Sequence, residues 1–95
     1  MAGFTRESAE LLSLQALAWL AGDEGRINGF LSQTGFAVGD IARSAPDPAF
    51  LGAVLDFVLS EDAMVIAFCD GQGLPYDAPM RARAALPGGE MWNWT

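Results

Sequence analysis

Residues 17–36 read LAWLAGDEGRINGFLSQTGF, and residues 55–74 read LDFVLSEDAMVIAFCDGQGL. Set one above the other without a gap, the stretches pair Leu17 with Leu55, Trp19 with Phe57, Asp23 and Glu24 with Glu61 and Asp62, Ile27 with Val65, Phe30 with Phe68, Gly35 with Gly73, and Phe36 with Leu74. The offset is a constant 38 residues. Such a spacing, held through two helix-length segments and the loop between them, implies two copies of one helical supersecondary unit, packed face to face. The pseudo-repeats cover about residues 13–45 and 51–86. Two copies are too few for an open solenoid, which needs about three repeats with polar caps. The expectation is therefore a single all-α domain over residues 1–95, a compact bundle of about six short helices. Its first and fourth helices would sit together in the middle, each flanked by its own second helix.

Helix boundaries follow from local signals. Thr5 can cap a first helix that runs to about Ala21, with Glu7 well placed for the helix dipole. Arg6, Glu10 and Ser13 share one narrow arc of that helix, and leucines, alanines and Trp19 fill nearly all the rest, which makes it central. Gly22 breaks it. Asp23 and Glu24 open a second helix with Ile27, Phe30 and Leu31 on one face, closed by Gly35 and Phe36. A short third helix is expected around Val38 to Ala45. Asp47 as N-cap with Pro48 at the first helical position is the strongest start signal in the chain. That fourth helix should end at Ser60, which then caps a fifth bearing Met64, Val65, Phe68 and Cys69. Gly73, Leu74 and Pro75 close the fifth, and a last helix covers about Ala78 to Leu86. No segment alternates apolar and polar residues for long enough to suggest a strand.

Composition narrows function mainly by exclusion. Lys+Arg is 5 and Asp+Glu 12, a net charge of −7, and all five cations are arginines. Such a surface disfavours direct binding to nucleic acid and to acidic membranes. Apolar runs fall short of the roughly 18 residues a membrane span needs, and residues 1–10 do not resemble a secretory signal. With one cysteine, this points to the cytoplasm. Without histidine or lysine there is no Ser-His-Asp or Cys-His arrangement, no imidazole metal site, no Schiff base and no phosphate-loop lysine. No catalytic, cofactor-binding or metal-ligating residue is assigned, and no cofactor is expected.

The remaining candidates have structural readings. Cys69, between Phe68 and Asp70, reads as a small buried hydrophobe. The pairs Asp23/Glu24 and Glu61/Asp62 sit at helix starts, where a carboxylate caps amides. Asp56 stands alone in an apolar run, yet a helical wheel sets it beside Gly52 and Ser60 on a solvated face. Gly71 to Gly73 and Gly88–Gly89 read as punctuation. The aromatic tail over residues 88–95 is different: if extended, Trp92 and Trp94 face one side, and with Met91 they form a candidate partner-binding segment. Folding back over the chain's own core is the first reading of the same residues, partner or dimer contact the second, and disorder the third.

The ordered segments SLQALAWLAGDEGRINGFLSQTGF (residues 13–36), DPAFLGAVLDFVL (47–59), SEDAMVIAFCDGQGLP (60–75) and RARAALPGG (81–89) resemble a family of short bacterial proteins, domain of unknown function 3572. The resemblance spans nearly the whole chain. It implies a small, stand-alone, cytoplasmic, all-helical bacterial protein and brings no activity, catalytic residue or cofactor with it.

Three functions fit. The leading one is a non-catalytic protein-interaction or adaptor module whose partner is a protein, itself or another. The second is a small-ligand-binding protein or atypical enzyme that uses carboxylate and arginine groups, with a pocket lined by Asp56 or Arg81. The third is an acidic regulator acting on a nucleic-acid-binding protein.

Overall fold

Six helices account for most of the chain in the computed structural model, which describes residues 5–86. They are α1 (Arg6–Ala21), α2 (Glu24–Thr34), α3 (Ile41–Ser44), α4 (Pro48–Leu59), α5 (Asp62–Gln72) and α6 (Ala78–Ala84). No strand occurs among the described residues. The fold is all-α, as the sequence implies.

Three of the long helices, α1, α2 and α4, begin where their cap chemistry directs. At α1 the Thr5 hydroxyl accepts from the Ser8 amide at 3.1 Å, and the Ser8 hydroxyl accepts from the Thr5 amide at 2.9 Å, a reciprocal capping box with serine in the third helical position. Asp23 accepts from the Arg26 amide at 3.0 Å to start α2, and Asp47 from the Ala49 amide at 3.0 Å to start α4, with Pro48 in the first turn. Gly35 and Gly73 end α2 and α5 with φ of +82° and +69°, a left-handed conformation that a side chain makes costly.

The α1 and α4 helices pack along one another at the centre, α2 lies against α1, and α5 against α4. The α6 helix wedges against both central helices, a third contributor to the core rather than a lid. It can do so because its inward stripe is small: Ala78, Pro79 and Ala82 are buried, and Leu86 comes next on that side, 1% exposed. Burial of α4 is nearly complete on one side, with Phe50, Leu51, Val54, Leu55 and Val58 each at most 2% exposed. Each such side chain contributes about 1.5–3 kcal/mol relative to exposure.

Several details differ from the sequence reading. The third helix shrinks to a 3-10 turn, Val38–Asp40, plus the single turn of α3, since only Ile41 and Ala45 of that stretch pack on the core. Ser60 does not cap α5. Its hydroxyl donates back to the Phe57 carbonyl at 2.6 Å, closing α4, and Glu61 takes the cap position of α5 without a side-chain bond. The α6 helix stops at Ala84 because the Ala85 and Leu86 amides turn to carbonyls three residues back, swinging Leu86 inward. Finally, α1 is central but not enclosed: Leu11 and Leu14 remain 60% and 42% exposed on a side that no neighbour among the described residues covers.

Candidate functional site

The sequence-predicted contact residues Met91, Trp92 and Trp94 lie outside the described residues. Within them, an apolar groove lies where the end of α4, the start of α5 and the start of α6 meet. It is lined by Leu59, Asp62, Val65, Tyr76, Asp77 and Met80 and has a volume of about 560 Å³. Its position is set by α6. Since Ala78 and Ala82 must face the core, Met80 points away from it and stays 60% exposed, and Tyr76 in the preceding turn is 55% exposed.

Tyr76 is fixed rather than loose. Its hydroxyl donates to Asp70 Oδ1 at 2.7 Å, tying the turn to the last part of α5. That bond, together with the negative charge of Asp70, raises the phenol's pKa above its ordinary value, because ionisation would break the bond and set phenolate against carboxylate. At the rim, Asp77 faces Arg81 one helical turn on, at 3.8 Å. Asp62 makes no ion pair among the described residues.

Asp56 and Arg83 form a second feature, which sequence reasoning missed. Asp56 is exposed, as the helical wheel implies, but its face is not left to water. Arg83 of α6 reaches across to it, Nε to Oδ1 at 2.7 Å and Nη2 to Oδ2 at 3.3 Å, a two-pronged contact with Arg83 only 14% exposed. The guanidinium lies flat over Gly52, where an added Cβ would stand 3.1 Å from its carbon. A shallow concavity of about 260 Å³ adjoins the pair, lined by Gln33, Thr34, Ala53, Asp56 and Phe57. Arg81 does not share it; it stands at Asp77.

The other candidates take structural places. Cys69 is fully buried, and burial, with Asp70 and Asp77 nearby, pushes its thiol up from the ordinary value, away from a reactive thiolate. Asp23 caps α2, whereas Glu61 at the matching position bonds no amide. Among the described residues, no three acidic or cysteine side chains converge to hold a metal ion, and no helix is long and apolar enough to cross a membrane. The groove itself has one signal in the sequence. Once the Ala78/Ala82 stripe is assigned inward, Tyr76 and Met80 are large apolar residues with no place in the core.

No curated protein and no solved structure matches this chain. One family does, described as "Protein of unknown function (DUF3572)", and its match runs over residues 6–89. That stretch takes in all six helices, so the chain belongs to the DUF3572 family.

Proposed function

We propose that this protein is a non-catalytic protein-interaction or adaptor module of the cytoplasm, and that the groove between α5 and α6 is its contact face. The observation that carries the reading is the exposure of Tyr76 and Met80 above the apolar floor of Leu59 and Val65. Large apolar side chains gathered in one rimmed depression favour association with another protein. Tyr76 is already held by Asp70, so less side-chain freedom is lost on docking. The small-ligand reading has weaker support: at the concavity beside Asp56, carboxylate and guanidinium already satisfy each other, and a ligand would have to displace one of them.

The test is photo-crosslinking in cells of the source organism, with the reactive amino acid at position 80 of the full chain. Position 38, where Val38 is 71% exposed on another surface, serves as the control. A discrete protein adduct from position 80, absent from position 38, is the expected result. No adduct from position 80 of a folded chain overturns the groove as contact face. A parallel chain ending at residue 87, first verified as folded, tests the tail: loss of the adduct assigns contact to Met91, Trp92 and Trp94 as well, and retention removes them from the site.

A further inference from the structure

The character of the groove also says what should fill it. We infer that its occupant is a cationic amphipathic helix of a partner protein, with apolar residues at i, i+3 or i+4, and i+7 and arginine or lysine beside them; this rests on the interaction reading of the groove. The floor is apolar, made by the half-buried Leu59 and Val65, with Tyr76 and Met80 exposed above it and the exposed Asp62 and Asp77 beside them. Arg81 offsets part of the Asp77 charge from 3.8 Å, but nothing among the described residues pairs with Asp62, and Asp70 behind Tyr76 adds a further carboxylate. An apolar floor under an acidic rim complements a helix that carries both characters.

Charge also selects among occupants. A second copy of this chain would bring its own net charge of −7, and a two-fold contact at the groove would set Asp62 and Asp77 near their own equivalents. An anionic bilayer is disfavoured for the same reason. Met80, unbranched and flexible, lets the groove adapt to differently shaped side chains.

The experiment is a selection on the full-length protein from a displayed library of 16-residue helical peptides whose charge and apolar positions are randomised. The expected pool is rich in arginine and lysine flanking apolar residues at helical spacing. Its members should lose about tenfold or more in affinity against Tyr76→Ala or Met80→Glu. They should weaken about threefold to tenfold against the double variant Asp62→Asn, Asp77→Asn, with a flatter salt dependence. Val38→Glu, on a different face, should change nothing. Circular dichroism melts confirm that the exposed-site variants are folded.

A pool of neutral or acidic peptides, binding indifferent to the aspartate variant, or no selected binders overturns the inference. So does a concentration-dependent dimer that Met80→Glu dissolves. An adduct at position 80 without cationic helix selectivity would refute the occupant while leaving the interaction reading intact. A selective helix in vitro without any adduct in cells would refute the interaction reading, and the partner with it, leaving only the groove's chemical preference.

Discussion

The α1–α2 pair and the α4–α5 pair end alike and pack differently. Both second helices close on a left-handed glycine, Gly35 or Gly73. Around Phe30 of α2, however, three other rings gather, with centroids of Phe57 at 5.6 Å, Phe50 at 5.8 Å and Phe36 at 6.2 Å. Among the described residues, Phe68 of α5 has one aromatic neighbour, Trp19 at 5.4 Å, whose indole is in turn covered by the Arg26 guanidinium 3.8 Å from its centroid. The exits differ too. Phe36 stacks back into the first cluster, while the chain after Gly73 turns through Tyr76 into α6. An aromatic plug therefore seals the first pair, and a helix joins the second at an angle that leaves the groove. The same local grammar of caps and turns yields a closed end in one place and an open one in the other, because the residues after each glycine, Phe36 in one case and Tyr76 with α6 in the other, decide how the end is covered.

The most severe way to break this comparison is to empty each centre. Phe30→Ala should cost about 3–5 kcal/mol, as large aromatic deletions in cores do. Phe68→Ala should cost less, since fewer rings lose a partner. Chemical denaturation of both variants decides it, and a larger loss at Phe68 would invert the proposed asymmetry. The caps give a sharper, smaller contrast. Asp23→Ala removes a bonded N-cap and should cost about 1 kcal/mol. The matching change, Glu61→Ala, removes no cap bond and should stay within about 0.5 kcal/mol.

Gly52 and Arg83 test how the sixth helix is held against the second pair. In the native chain, Gly52→Ala crowds the guanidinium, offsetting the helix propensity gained. In an Arg83→Ala background the same change should stabilise by about 0.5–1 kcal/mol. Equal effects in the two backgrounds would mean that Arg83 does not lie on Gly52. The smallest effect is spectroscopic. Tyr76 is the single tyrosine of the chain, so phenolate absorbance reads it directly. It should ionise above the usual value near 10, and Asp70→Asn should bring it down. Because the folded value is the raised one, the bond's stabilisation is intact below the ordinary tyrosine pKa and is lost as pH climbs through the folded value.

The parts of the fold legible in the sequence are those that near neighbours along the chain decide. Thr5, Asp23 and Asp47–Pro48 announce helix starts and Gly35 and Gly73 announce ends, because a cap satisfies amides or carbonyls within a turn of itself. The family resemblance is likewise legible from ordered segments. Contacts across the fold are not. Asp56 and Arg83 stand 27 residues apart, and a helical wheel assigns Asp56 to an outer face without showing that an arginine from elsewhere will cover it. The groove escapes for a related reason, since it depends on which side α6 turns to α1 and α4. Ser60 shows the same limit in miniature: its hydroxyl has two carbonyl or amide options within reach, and it takes the backward one.

The burial of Cys69 has a practical corollary. With its thiol fully covered and biased toward the protonated form, the folded molecule offers electrophiles and oxidants no thiolate among its described residues. Any modification of the chain's lone cysteine must wait for the packing around α5 to open. The rate of thiol labelling under native conditions thus serves as a built-in clock for that opening, reporting from inside the second pair how often it comes apart.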